Sequence, residues 1–180
     1  MKLQKISKPY YVGFVVASID GRISLMKKTP PDWTSREDWH FFQEMLAKAD
    51  AVVVGRHSYA AVADRLRKRN TYVLSRRLKG RYRRGTVTFV NPNCVNMQEL
   101  LQQYQMVAVV GGGSVYQLML DNGILDEIYI TIEPLIFGRG TQMFVGGTKT
   151  AYLQLLSVKK LNASGTLLLH YKINYLVADI

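Results

Sequence analysis

"VVGGGSVY", residues 109–116, puts three consecutive glycines between an apolar run, 106–110, and an amphipathic stretch that starts at Ser114. Glycines there let the main chain turn tightly. They also remove the Cβ atoms that would hold an anion away from the N–H groups at the start of a helix. The plainer alternative is that they only let a helix pack closely on a sheet. The dinucleotide fingerprint G-x-G-x-x-G is not met, because Tyr116 stands where the third glycine belongs and the turn comes late in the chain. A Rossmann domain is therefore excluded, and a strand, an anion-binding turn and a helix are expected in that order.

Two other strand-like runs end in similar chemistry. "VVVGRHSY" (52–59) and "YVLSRR" (72–77) pass straight into Gly, Ser and Arg, residues that hold phosphate through backbone donors, hydroxyls and guanidinium forks. Working outward, apolar and β-branched runs at 10–17, 51–54, 71–74, 86–90, 106–110, 127–132, 155–161 and 166–175 predict about eight strands. Residues 35–49 carry Trp39, Phe42, Leu46 and Ala49 at helical spacing, with Thr34 and Glu37 placed as a capping box. Shorter helices are expected at 96–103 and 114–121. Strands and helices alternate until about residue 121, which implies right-handed crossovers onto a mostly parallel sheet. The last two runs, joined by 162–165, read as an antiparallel hairpin that makes the sheet mixed. Three such strand ends side by side at the carboxyl edge would line one crevice.

The chain has 180 residues, 48% of them hydrophobic, which fits one domain over 1–180 with a sizeable core. Lys and Arg number 24 against 13 Asp and Glu, a net charge of +11 that points to an anionic partner without saying which. Cys94 alone cannot form an internal disulfide or a zinc cluster, and His40, His57 and His170 are too dispersed for a metal motif, so no metal is expected. A reducing cytoplasm is the expected setting. No apolar run approaches ~20 residues and no secretory signal pattern is present, so no membrane role is expected. Residues 65–84 hold ten Lys or Arg and no acid, and read as a pair of solvated loops around the 71–74 strand.

Taken together, the motifs resemble the dihydrofolate reductase superfamily, and especially its branch of riboflavin-pathway pyrimidine reductases. "VVGGGSVYQLML", "VVVGRHSY" and "YVLSRR" look like the cofactor turns of that superfamily; "ASIDGRIS", "SREDWHFF", "ADAVVVG" and "LDEIYITIEPLIFGRG" look more like the pyrimidine reductase branch. The resemblance implies a three-layer α/β/α fold and NADPH bound along the three strand ends. Arg56, Ser75, Arg76 and Arg77 would meet the adenosine 2′-phosphate, with Leu74 and His57 beside the adenosine. Ser58 and the amides of Gly112, Gly113, Ser114 and Val115 would hold the pyrophosphate, with Gly55, Val110, Gly111 and Tyr116 also among the cofactor-binding residues. The resemblance also implies a cis peptide at Gly111–Gly112, and main-chain bonds from Ala17 and Ile23 to the nicotinamide carboxamide.

For the substrate, Asp38 matches the acidic residue that binds the pterin edge in folate reductases, and Thr131 the threonine bonded to it. A carboxylate suits a diaminopyrimidine edge through two parallel hydrogen bonds; the alternative for Asp38 is that it complements the helix dipole. Asp20 in "SIDG" is a candidate proton donor, or else an ordinary Asp-Gly turn. Trp39 and Phe42 are candidate substrate walls. The branch reduces a ribosylaminopyrimidine phosphate, which needs a second anion site; Arg22, Lys27, Lys28, Arg36 and Arg139 are candidates by position. A folate or pterin is the second substrate reading. A nucleic-acid-binding module led by residues 65–84 is the rival from another class, disfavoured because only Tyr72 and Tyr82 are interleaved with its cations. The zinc His-Cys-Cys site of the deaminase that often accompanies this branch is missing from the sequence. A homodimer is expected, with room for it at the apolar runs 153–156 and 167–169.

Overall fold

The computed structural model describes residues 8–25, 32–147 and 149–175. At its centre lies β1 (Tyr10–Ser18), which pairs in parallel with β7 (Met106–Val109) on one side and β8 (Glu127–Glu133) on the other. Beyond β7 come β3 (Ala51–Gly55), β4 (Thr71–Leu74) and β6 (Val87–Val90), all parallel, and then β5 (Arg81–Arg84), antiparallel to β6. Beyond β8 come β11 (Leu167–Tyr175) and β10 (Ala151–Lys160), an antiparallel hairpin. Among the described residues the main sheet thus has nine strands against the about eight expected from the sequence, and a small pair, β2 (Arg22–Ser24) with β9 (Thr141–Gln142), lies apart from it.

The parallel strands are buried on both faces, which is why they read as unbroken apolar runs. In β3, Ala51 and Val53 join one core cluster while Val52 and Val54 join the other. The first cluster takes Met97 and Leu101 of α3 (Met97–Leu101) and Val115, Tyr116 and Met119 of α4 (Gly113–Asp121). The second takes Leu46 of α1 (Arg36–Lys48) and Leu66 of α2 (Arg56–Leu66). The helices therefore sandwich the sheet, as crossovers of one hand require.

Three local expectations are corrected. The cap of α1 is Ser35, whose hydroxyl accepts from the Asp38 amide at 3.3 Å, and not the Thr34–Glu37 box; Glu37 instead accepts from Asn162 at 3.2 Å. Residues 56–66, not among the helices expected from the sequence, form α2, which is kinked at Val62 (φ −134°, ψ 20°). The basic segment is not a pair of loops, since Arg81–Arg84 forms the edge strand β5. Its register is carried by Tyr82 stacked on Phe89 at 4.8 Å, and the arginines cover an otherwise open strand edge.

Candidate active site

The carboxyl ends of β8, β1, β7, β3 and β4 open into one cleft of about 710 Å³. From β8 to β4 is four inter-strand steps, about 19 Å at ordinary strand spacing. Such a cleft suits an elongated ligand.

Each glycine of the central turn has its own reason. The Gly111–Gly112 peptide is cis, and Gly111 sits at φ 92° with the Tyr116 side chain against the place of its missing Cβ, the hydroxyl oxygen at 2.9 Å and the nearest ring carbons at 3.0 and 3.1 Å. A Cβ on Gly113 would strike the Gln142 carbonyl oxygen, with the Met143 oxygen at 3.1 Å and Val145 Cγ2 at 3.0 Å. Those two glycines answer to the protein's own packing. Gly112 faces Ser58 Oγ at 3.1 Å and has no main chain against it. A cradle that a Cβ would fill therefore exists at the middle glycine alone.

The amides around this cradle lack caps of the usual kind. Helix α2 begins after Gly55 and α4 after Gly112, and neither N-cap offers a side-chain acceptor. Neither first turn contains an acid, in contrast to α1 with Glu37 and Asp38. The two turns are tied by Gly55 N–H donating to the Gly111 oxygen at 2.6 Å. Two positive helix ends thus meet in one cleft with their leading N–H groups uncapped by side chains, which is what an anion needs. The Val115 amide donates to Gly112 O at 2.8 Å and the Tyr116 amide to the same oxygen at 3.3 Å, leaving Gly113 and Ser114 as the first-turn donors of α4. Arg56, Ser75, Arg76 and Arg77 line the neighbouring wall, and Arg56 meets the His57 ring at 2.8 Å.

Toward β8 the chemistry reverses. Asp38, 8% exposed, is hydrogen-bonded to Thr131, itself buried. Burial is the main cause that lifts the Asp38 carboxyl from 3.8 to about 6; the Thr131 hydrogen bond opposes this and the nearby Glu133 adds to it. Glu133 is committed elsewhere: it accepts from the Ser35 amide and from the Thr166 hydroxyl, both at 2.6 Å. The same α1 N-terminus thus aims Asp38 into the cleft and is fastened to the sheet by its neighbour Ser35. Trp39 and Phe42, 6.1 Å apart between ring centres, form the adjoining wall.

The residues assigned in the sequence to coenzyme, ring binding or catalysis line this cleft, including Ile23, Leu74 and Val110, except Asp20 and Ala17. Asp20 accepts from Ser18 Oγ (2.6 Å), Phe137 N–H (3.0 Å) and Gly138 N–H (2.9 Å). These bonds, the Ser18 one foremost, hold its carboxyl down at about 2 and make Asp20 a clasp of its loop, outside the lining of the cleft. Ala17 is fully buried in β1 opposite Ile132, and Val15 and Val16 form that part of the wall instead. Tyr116 contributes its ring, for its buried hydroxyl donates to the Phe14 carbonyl and its pKa is raised by desolvation. Of the anion-site candidates, Arg22 lies 3.7 Å from Asp20, Arg36 donates to His40 at 3.4 Å, and neither they nor Arg139 line the cleft; Lys27 and Lys28 fall outside the described residues. Arg65 and Gln43 do line it and were missed. Gln43 was findable, being one helical turn from Trp39; Arg65 was hidden in the basic run. No helix among the described residues is long and apolar enough to cross a membrane.

Fold and cleft together define a dihydrofolate reductase-like α/β protein. The family model for dihydrofolate reductase matches residues 14–157, and the chain belongs to that family. No curated protein matches the sequence significantly. Among solved structures, RibD of Acinetobacter baumannii superposes with a TM-score of 0.76 at 19% identity, covering 93% of this chain and 58% of its own. The riboflavin biosynthesis reductase of Saccharomyces cerevisiae gives 0.67 at 15% identity, over 96% of this chain and 93% of the other. Dihydrofolate reductase from Enterococcus faecalis, in complex with NADP(H) and RAB-propyl, gives 0.64 at 20% identity, over 92% and 96%. This chain spans little more than half of the Acinetobacter protein's length.

Proposed function

We propose that the protein is an NADPH-dependent oxidoreductase of a small aminopyrimidine-type substrate, with a ribosylaminopyrimidine phosphate of the riboflavin-pathway kind as first reading. The observation that carries this is the pairing of two glycine-capped helix ends, α2 and α4, in a cleft whose other end holds the buried carboxyl of Asp38. Arg56, Ser75, Arg76 and Arg77 would hold the coenzyme's 2′-phosphate, with Arg forks favouring NADPH over NADH. Ser58 and the Gly113 and Ser114 amides would hold the pyrophosphate in the cradle at Gly112. When bound, the coenzyme supplies a hydride; the protein's part is position and electrostatics. Val15, Val16 and Ile23 give the cleft an apolar wall that keeps water from the reacting atoms. Asp38 binds the donor edge of the substrate ring. Near neutral pH a carboxyl poised at about 6 is able to carry a proton to a substrate nitrogen and regain it.

The Asp38–Thr131 pair favours a second reading, a dihydropterin or dihydrofolate substrate, because a carboxylate backed by a threonine matches an amidine-like edge in either ring. The nucleic-acid reading loses support: Tyr72 is 7% exposed and hydrogen-bonded to Tyr104, leaving Tyr82 as the exposed aromatic of the basic segment. We further infer a homodimer through β10. That strand exposes Tyr152, Leu153, Leu155, Leu156 and Val158 on a sheet edge, whereas the opposite edge, β5, is shielded by arginines.

The test is loss of NADPH absorbance against a panel of ribosylaminopyrimidine phosphate, dihydrofolate and simple aldehydes. Turnover of the first supports the first reading and turnover of dihydrofolate the second. Absence of NADPH binding in the same protein would remove both.

A further inference from the structure

Glu133 is a buried carboxylate that the proposed chemistry does not use. It stands at the end of β8, 3% exposed and outside the lining of the cleft, yet both of its oxygens are engaged at short range. Oε1 accepts from the Ser35 N–H and Oε2 from the Thr166 hydroxyl, each at 2.6 Å. The Thr166 hydroxyl in turn accepts from Asn162 Nδ2 at 2.9 Å, so its single proton goes to Glu133. Asn162 is fixed by the turn of the β10–β11 hairpin, where its Oδ1 takes the amides of Gly165 and Thr166, and its Nδ2 also donates to Glu37 of α1 at 3.2 Å. Two donors aimed at two oxygens select a carboxylate; a glutamine would turn its own NH2 toward one of them.

We propose that Glu133 is a positioning residue, which acts from outside the cleft through the N-terminus of α1 to place the Asp38 carboxyl and to oppose its ionisation. The part of Asp38 in turnover rests on the function proposed above; its link to Glu133 does not. The path is two hydrogen bonds long: Glu133 holds the backbone of the cap residue Ser35, and Ser35 Oγ accepts the Asp38 N–H at 3.3 Å. Thr131, which bonds the Asp38 side chain, stands two residues before Glu133 on the same face of β8. One strand therefore grips the aspartate at its carboxyl and at its cap, and the hairpin turn joins that grip through Thr166 and Asn162. The charge of Glu133 adds to burial in lifting the Asp38 carboxyl to about 6, against the Thr131 bond. The neighbouring ionisable groups are otherwise engaged. Glu37 faces Asn162, the Tyr116 hydroxyl of α4 donates to the Phe14 carbonyl, and on β1 Ser18, in register with Glu133, holds Asp20 beside Arg22.

The experiment follows the Asp38 carboxyl carbon by 13C NMR from about pH 4 to pH 8 in the wild type, E133Q and Y175F, with D38N to identify its signal. Removing a negative neighbour favours the Asp38 anion, so its midpoint is expected to fall by about half a unit or more in E133Q. Y175F loses the hydroxyl bond to the Leu125 carbonyl at the other end of the hairpin, and is expected to hold the midpoint within about 0.2 unit. Amide exchange is expected to quicken together in the first turn of α1 and in residues 162–166 in E133Q, and at neither place in Y175F. Should E133Q not fold, the wild type itself decides. Coupling between titrating groups is mutual, so the Glu133 carboxyl carbon is expected to inflect at the Asp38 midpoint and to lose that inflection in D38N. An unchanged midpoint in folded E133Q, or a Glu133 carbon blind to Asp38, overturns the proposal. Turnover is read separately, and the kcat/KM pH profile of E133Q is expected to shift with the NMR midpoint. A profile that stays while the midpoint moves would remove Asp38 from the reaction and leave its link to Glu133 standing.

Discussion

Replacing Asp38 with Asn should make the protein more stable at neutral and alkaline pH and leave it unchanged in acid. In the folded chain this carboxyl titrates near 6, mainly because it is buried, whereas in the unfolded chain it returns to an ordinary value of about 3.9. Below that ordinary value both states carry the proton and the carboxyl costs nothing. As pH rises, the unfolded state ionises first. The folded state must then hold on to a proton or, above about 6, carry a buried charge, and the cost levels off there. The gap between 3.8 and about 6 corresponds to about 3 kcal/mol at ~1.4 kcal/mol per tenfold. The amide keeps an acceptor for Thr131, so most of that cost is expected to be recovered, about 2–3 kcal/mol. Urea unfolding of the two proteins, followed by circular dichroism at intervals from about pH 4 to pH 8, measures it. The D38N protein should lead at pH 8, lose its lead as pH falls through 6, and coincide with the wild type near pH 4. A lead that does not change with pH, or a variant weaker at pH 8, would refute the idea that this carboxylate is held against the preference of the fold. That a chain keeps so costly a group beside its cleft is the physical reason for giving it a role in binding.

The two outer glycines of the turn and the middle one should behave differently. G113A meets main-chain carbonyls and is expected to cost about 1–3 kcal/mol, a drop in Tm of roughly 3–10 °C; G112A meets only Ser58 Oγ and Ile23, and should melt within a few degrees of wild type while binding NADPH at least tenfold more weakly. Melting curves with and without NADPH decide this, and equal destabilisation by both changes would contradict the assignment. R56Q and R76Q should each weaken NADPH roughly tenfold and NADH little, narrowing the preference between them in a fluorescence titration. L155E, at a half-exposed position on β10, should convert a dimer to a folded monomer in light scattering, and R83E on the opposite edge should not.

The legible parts of this chain are those whose physics is local. Val52–Val54 announce a strand buried on both faces by being apolar without alternation, and 114–121 announces α4 by its spacing. The three strand ends that run into Gly, Ser and Arg could be placed in one crevice because parallel strands bring their carboxyl ends together whatever lies between them in sequence, whereas Asp38 and Thr131 came from the family resemblance. What was hidden is decided by partners far along the chain. Arg81–Arg84 looks like solvated charge because an edge strand of arginines has the composition of a loop, and only the pairing of Tyr82 with Phe89 makes it a strand. The Ser35 cap is equally invisible locally, since Thr34 and Ser35 are both good caps; what chooses Ser35 is Glu133, which takes its amide from 98 residues away.

Asp20 and Asp38 make the same point about function. Both are aspartates beside the cleft, and residue type alone cannot rank them. Asp20 accepts from Ser18, Phe137 and Gly138, which drives its carboxyl down to about 2 and commits its oxygens to its own loop. Asp38 is denied that company: it has Thr131 and is otherwise surrounded by walls that do not solvate it, so it is the group with unspent capacity. The same accounting separates Gly112 from its neighbours. In each case the residue proposed to meet a ligand is the one whose own structure leaves its hydrogen bonds, or its space, unfilled.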